Sequence, residues 1–107
     1  YFSNPQSTLS VSRQYKLPVL TVVLDNTGWA AVKEATLRVY PDGEAKAGGD
    51  YGATLSPDMN FAMVAEAAGA HGELVSEPDA VEAAIGRCLA AVRGGRSAVL
   101  HAKVTRL

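Results

Sequence analysis

The chain has 107 residues, of which 48% are hydrophobic and 20% are charged. These proportions are typical of a globular domain with enough apolar surface to form a core, and they exclude an intrinsically disordered chain. The net charge is −1 and the Lys and Arg residues do not cluster, so we expect neither nucleic acid nor a membrane as a partner. The one cysteine, Cys88, cannot form an intrachain disulfide, and we expect a cytoplasmic protein.

The first half of the chain predicts a helix, a strand and a second helix. Asn4 and Pro5 are typical of a helix start, which predicts a helix over about residues 5–15 with Asn4 as its cap. The apolar run at 19–25 predicts a strand buried on both faces of a parallel sheet. Apolar residues at helical spacing then predict a helix over 28–40.

Residues 41–55 contain four glycines and no periodicity, which predicts a long loop. Such a loop is either a lid or binding loop, or a plain surface loop, and the sequence leaves both open. The remaining predicted elements are a helix from Ser56-Pro57 to Gly69, a strand at 72–76, a helix from Glu77 to Gly94 and a strand at 97–104.

Strands that alternate with helices predict an α/β fold, a three-layer parallel sheet flanked by helices. Three strands make a thin sheet, and the chain does not begin with Met. We therefore expect a fragment of a longer protein, truncated at its N-terminal side. Ligands of such sheets lie beyond the carboxyl ends of the strands, which directs attention to Asp25–Trp29.

Asn26 is the sharpest candidate in that segment. An Asn amide oxygen is a hard neutral ligand suited to Mg²⁺, and the carbonyl of Gly28 can supply a second oxygen. Asp25 either joins the metal ligands or caps the next helix, whose free N–H groups favour a phosphate. From the spacing alone, a plain turn with no ligand is the favoured interpretation of Asn-Thr-Gly.

Other candidates are weaker. His71 and His101 have no Cys, Ser or acidic partner at a spacing typical of a catalytic pair. Cys88 lies on the apolar stripe of a predicted helix, which favours inert packing. The sequence contains no Walker loop, no Cys/His spacing typical of a metal site and no Gly-x-Ser-x-Gly motif.

The segment Leu17–Trp29 resembles the end of the thiamine diphosphate-binding motif, which begins with Gly-Asp-Gly and ends in Asn-Asn or a close variant. The opening Tyr1–Pro5 is similar to the residues that follow Gly-Asp-Gly, and 61–107 is similar to the end of the same domain. By this resemblance residues 1–107 are identified as the C-terminal part of the cofactor-binding domain of a thiamine diphosphate-dependent enzyme. The branch it resembles is acetolactate synthase-like and benzoylformate decarboxylase-like.

The resemblance implies the cofactors thiamine diphosphate and Mg²⁺. Asn26 matches the side-chain ligand of Mg²⁺ and Gly28 the backbone-carbonyl ligand, while a third ligand, the aspartate of Gly-Asp-Gly, is expected before Tyr1. Asp25 stands where the family often has the first Asn. The residues implied to bind the cofactor are Thr27, Gly28, Trp29, Ala30 and Ala31.

The resemblance also implies an enzyme, a lyase or transferase that decarboxylates or joins 2-keto acids and works as a homo-oligomer. Val32 falls where pyruvate decarboxylases carry a catalytic glutamate, which argues against that mechanism. The activating glutamate of the family belongs to another domain, so we expect no catalytic residue here and an inactive fragment. The alternative is a non-catalytic flavodoxin-like or receiver-like module, although Asp25 is the one acid at a strand end.

Overall fold

Helices and strands alternate along the chain. The computed structural model describes residues 4–49, 53–55 and 58–105. Its helices are α1 (Pro5–Gln14), α2 (Ala30–Val39), α3 (Glu44–Ala47), α4 (Phe61–Ala67) and α5 (Val81–Arg93), with a 3-10 turn at Pro78–Ala80 before α5. Its strands are β1 (Leu20–Asp25), β2 (His71–Val75) and β3 (Ala98–Lys103). No helix in these ranges is long and apolar enough to cross a membrane.

The three strands form one parallel sheet in the order β1-β3-β2. β2 and β3 run parallel, with His71 opposite Ala98. On the other side of β3, the Ala98 N–H donates to the Val19 carbonyl (2.9 Å) and the Val104 N–H to the Asp25 carbonyl (3.0 Å), so β1 runs in the same direction. The predicted α/β fold, a parallel sheet flanked by helices, is confirmed.

The chain divides into two compact units. The sheet unit comprises the described residues up to Leu24 and Asn60–Lys103. The turn unit comprises the described residues of Asp25–Met59 and those from Val104 onward. The sheet unit contains the core clusters, and the turn unit contains the predicted binding segment.

The central strand β3 forms the middle of the sheet unit's core. Ala98 and Leu100 point to one face, where they pack with Ala84 and Cys88 of α5. Val99 points to the other face, where it packs with Leu9 of α1, Ala65 of α4 and Ala70, the residue before β2. Because side chains of a strand alternate between faces, a helix layer on each side buries the first four residues of β3, Ala98 to His101.

The prediction that β1 is buried on both faces is wrong. Val22 is 49% exposed and Leu24 is 69% exposed. Leu20 packs against the α5 core, and Val23 packs against the cluster on the other face. β1 is an edge strand of the described sheet, and Val22 and Leu24, which share a face with Leu20, remain largely exposed.

Helix α1 has the predicted extent but not the predicted cap. The Asn4 side chain makes no capping hydrogen bond, and the Thr8 hydroxyl instead donates to the Asn4 carbonyl (3.2 Å). The buried face of α1 consists of Leu9 and Ser12. The large apolar side chains of Val11 and Tyr15 are exposed.

Helix α3 lies inside the segment that was predicted to be a loop without structure. Glu44-Ala-Lys-Ala has high helix propensity, with an acid in the first turn and a Lys in the last, and these local preferences outweigh the glycines around it. The predicted helix start at Ser56-Pro57 lies outside the described residues. Helix α4 begins at Phe61, where the Asn60 side-chain oxygen accepts the Met63 N–H (3.1 Å).

Candidate functional site

The turn between β1 and α2 is shaped by its own polar side chains. Asp25 Oδ1 accepts the Thr27 N–H (2.8 Å), and Asn26 Oδ1 accepts the Gly28 N–H at a longer 3.3 Å. These hydrogen bonds from residue i to residue i+2 are typical of Asx turns. Asp25 therefore stabilises the turn, and the Asn26 oxygen keeps a lone pair for a further ligand.

Thr27 has a backbone φ of +61°, in the left-handed region. A β-branched residue is an outlier there, and such a conformation costs on the order of 1–3 kcal/mol. The Thr27 hydroxyl oxygen is also buried without a hydrogen-bond partner among the described residues. A strained backbone and an unsatisfied buried hydroxyl at one residue are both typical of a place where a ligand binds.

The end of the long loop holds this turn in place. Gly28 and Thr54 form an antiparallel bridge, the Trp29 N–H donates to the Ala53 carbonyl (2.7 Å), and the Leu55 N–H donates to the Thr27 carbonyl (2.9 Å). A Cβ on residue 28 would lie 2.7 Å from the Ala53 carbonyl oxygen, so the close approach requires glycine. The described end of the loop thus contacts the candidate site, and no local sequence pattern indicates this pairing.

The first turn of α2 presents free backbone donors. The helix begins at Ala30, two residues later than predicted, with Trp29 as its cap. The N–H groups of Val32 and Lys33 donate to the Trp29 carbonyl, while those of Ala30 and Ala31 have no acceptor among the described residues. These two N–H groups lie at the positive end of the helix dipole, where an anionic oxygen is favoured.

The donor set fits a magnesium diphosphate in part. The Asn26 amide oxygen and a Gly28 carbonyl are hard neutral oxygens, and Mg²⁺ completes its six ligands with phosphate oxygens and water. No group of three or more His, Cys, Asp or Glu that could hold a metal occurs in the described ranges. Within the described residues, a metal at this turn would therefore have neutral oxygens as its protein ligands, with negative charge supplied by its bound anion.

A pocket of about 210 Å³ lies in the turn unit between α2 and α3, and we call it the α2–α3 pocket. Ala53, whose carbonyl accepts the Trp29 N–H, lines it. Apolar side chains and two lysines complete its lining, which includes Val32, Lys33, Leu37, Ala45 and Lys46. The Lys46 ammonium pairs with Asp42 (2.9 Å), one turn away.

The structure gives His71 an acidic partner, Glu73, two residues further along β2. His71 Nε2 lies 3.0 Å from Glu73 Oε1, and Arg87 donates to both carboxylate oxygens of Glu73 (2.8 and 3.1 Å). Residues two apart on a strand share a face, so the His71–Glu73 pair could have been found from the sequence. The Arg87 hydrogen bonds hold the pKa of Glu73 below its usual range, more strongly than burial raises it, and His71 adds to the lowering.

His101 and Cys88 belong to the core. The Phe61 N–H donates to His101 Nδ1 (3.2 Å), and the two rings meet edge to face with centroids 4.9 Å apart. Cys88 is completely buried, and burial raises the pKa of its thiol. The prediction that Cys88 is a packing residue is confirmed, since a buried thiol with a raised pKa is a poor nucleophile.

The fold and the turn define an α/β domain that offers neutral oxygen ligands and free amides at a strand's carboxyl end. Comparison with known families agrees with this class. The family model described as "Thiamine pyrophosphate enzyme, C-terminal TPP binding domain" matches residues 1–102, so the chain belongs to this family. A comparison with curated proteins finds no match.

Proposed function

We propose that the turn at residues 25–31 binds the magnesium diphosphate end of thiamine diphosphate. The observation that carries the proposal is Thr27, which combines a left-handed backbone with a buried hydroxyl that has no partner among the described residues. A ligand oxygen beside this hydroxyl would satisfy it. The family match supports thiamine diphosphate as that ligand.

Residues 26–31 of the turn each have a role in this proposal. The Asn26 amide oxygen and the Gly28 carbonyl bind Mg²⁺. The Thr27 hydroxyl and the free N–H groups of Ala30 and Ala31 donate to diphosphate oxygens, and Trp29 lies beside the cofactor. When bound, thiamine diphosphate supplies the stabilised carbanion that this class of reaction needs, and the protein orients it.

For the parent enzyme we propose action on 2-keto acids, by decarboxylation, carboligation or both, in an acetolactate synthase-like lyase or transferase. The α2–α3 pocket supports a small substrate, because its volume is about 210 Å³ and apolar residues and two lysines line it. Val32 lines this pocket where pyruvate decarboxylases carry glutamate. We also propose that the parent is a homo-oligomer whose activating acid comes from another domain.

The family match favours this function over a receiver-like or flavodoxin-like module. A receiver requires clustered acids at its strand ends. The described residues hold no cluster of three or more His, Cys, Asp or Glu that could hold a metal.

Asn26→Ala in the intact parent tests the proposal. Loss of one metal ligand should weaken Mg²⁺–thiamine diphosphate binding by about 10- to 100-fold, from the 1.5–3 kcal/mol typical of an interaction with a charged group. Isothermal titration calorimetry with thiamine diphosphate, in the presence of Mg²⁺ and separately of Mn²⁺, measures this affinity without relying on turnover.

Asn60→Ala is the matched control. It removes the same amide group but from the cap of α4, at a stability cost of about 1 kcal/mol. Cofactor affinity should stay unchanged in this variant. Equal affinity in Asn26→Ala and the wild type would show that the turn does not hold the metal.

A further inference from the structure

A second pocket, of about 220 Å³, lies within the sheet unit at the amino ends of β2 and β3. None of its lining residues belongs to the turn at 25–31. We propose that this pocket, which we call the arginine pocket, binds a small oxyanion, a phosphate or a carboxylate group, between Arg13 and Arg96. Its lining includes Ser12, Arg13, Gly69, Ala70, Arg96 and Ser97.

The pocket carries the positive charge of two arginines. No Asp or Glu is among its described lining residues, and neither Arg13 nor Arg96 has a described carboxylate within salt-bridge distance. The Arg13 guanidinium makes no hydrogen bond to a described residue. It lies over Gly69, where an added Cβ would be 2.8 Å from Nη1, so the absence of a side chain there makes room for it.

One hydrogen bond orients the Arg96 side chain and uses only part of its N–H donors. One of its terminal nitrogens donates to His71 Nδ1 (3.0 Å), and a guanidinium has five N–H donors. His71 Nε2 is also hydrogen-bonded to Glu73, so both nitrogens of the imidazole ring have a partner. The hydrogen bond to His71 orients Arg96 and leaves several of its donors for a ligand.

The hydrogen bonds of the two lining serines indicate which kind of ligand the pocket can bind. Ser12 donates to the Leu17 carbonyl (2.7 Å), and the Ser12 and Ser97 hydroxyls are hydrogen-bonded to each other. The Ser97 oxygen also accepts the Val19 N–H (3.0 Å). Both hydroxyl protons are used inside the protein, so the two guanidinium groups are the main donors available. A ligand with several acceptor oxygens and negative charge matches them best, because guanidinium groups bind carboxylate and phosphate in a bidentate manner.

Helix C-termini offer another explanation for the arginines. α1, α4 and α5 end around the pocket, and a cation is favoured at the negative end of a helix dipole. The carbonyls of Ser12, Ala65 and Ala91 in these last turns instead accept N–H groups from Leu17, Ala70 and Arg96 at 2.9, 2.9 and 3.0 Å. No described hydrogen bond joins the guanidinium group of Arg13 or Arg96 to a helix-end carbonyl, so their donors are left for a ligand.

Titration of the full chain with inorganic phosphate, and separately with acetate, tests the proposal by ¹H–¹⁵N NMR. The Gly69 and Gly95 amides line the pocket and should show saturable shifts. Arg13→Gln should weaken binding tenfold or more, since it removes a charged donor that makes no internal hydrogen bond. Arg93→Gln, in the last turn of α5 and outside the lining, is the matched control and should bind like the wild type.

The responses of the two anions identify the preferred group, and saturation by either one supports the site. Amide shifts at residues 26–31 report the cofactor turn and are scored separately, so failure of one site does not hide the other. The proposal is overturned by an absence of saturable shifts at Gly69 and Gly95, or by equal affinity in Arg13→Gln, Arg93→Gln and the wild type.

Discussion

Gly28→Ala gives the most direct test of how the long loop holds the candidate site. The new Cβ would lie 2.7 Å from the Ala53 carbonyl oxygen, closer than real Cβ contacts come, and the obstacle is backbone that cannot rotate away. The clash can be relieved only if 53–55 moves away from 27–29. That movement stretches the hydrogen bond from the Trp29 N–H to the Ala53 carbonyl, which is 2.7 Å long.

The size of the effect follows from two contributions. Overpacking costs about 1–3 kcal/mol, and loss of one backbone hydrogen bond costs about 0.5–1.5 kcal/mol. The pairing of the loop with the turn should therefore weaken by about 1.5–4.5 kcal/mol. Because 1.4 kcal/mol is tenfold, the Trp29 amide should exchange its hydrogen at least about tenfold faster.

Hydrogen exchange followed by NMR, together with thermal denaturation, measures the change. Gly86→Ala is the control, because a Cβ there meets nothing within 4 Å and Ala in a helix interior is favoured by about 0.5–1 kcal/mol. It should stabilise α5 and leave Trp29 exchange unchanged. A Gly28→Ala chain with wild-type melting and wild-type Trp29 exchange would refute the close approach of the loop to the turn.

Two further predictions concern the sheet unit. Leu100 in β3 is 1% exposed, and Leu100→Ala should lower the free energy of unfolding by about 2–5 kcal/mol in urea denaturation. Leu74 in β2 is 47% exposed, and Leu74→Ala should lower it by less than about 1 kcal/mol. Equal losses in the two variants would contradict the assigned core. Glu73→Gln should reduce the dependence of stability on acid. Because Arg87 lowers the folded-state pKa of Glu73, the ionised Glu73 stabilises the fold above the ordinary pKa of 4.5, and this stabilisation is lost as the pH falls below it. The wild type should therefore lose more stability than Glu73→Gln between about pH 6 and pH 3. Parallel losses would contradict the pairing.

Local sequence was enough to predict the alternation of strands with helices, apart from the short helix α3, and the position of the turn between β1 and α2. The apolar run before Asp25 and the Asn-Thr-Gly that follows mark a strand end and a sharp turn, and their resemblance to a cofactor motif agrees with the family match. The apolar stripe of α5 likewise predicted the burial of Ala84 and Cys88. These features depend on residues close together in the chain, which is why the sequence predicts them.

Only the tertiary structure decided the features that depend on distant segments. The loop residues Ala53 and Thr54 pair with the turn, and Arg96 meets His71, although no spacing indicates either contact. The exposure of Val22 and Leu24 depends on which helices cover β1, a property of neighbouring elements and not of the strand. Hydrophobicity and secondary-structure propensity are properties of a residue and its local sequence. Its burial and its contacts depend on the distant segments that pack against it.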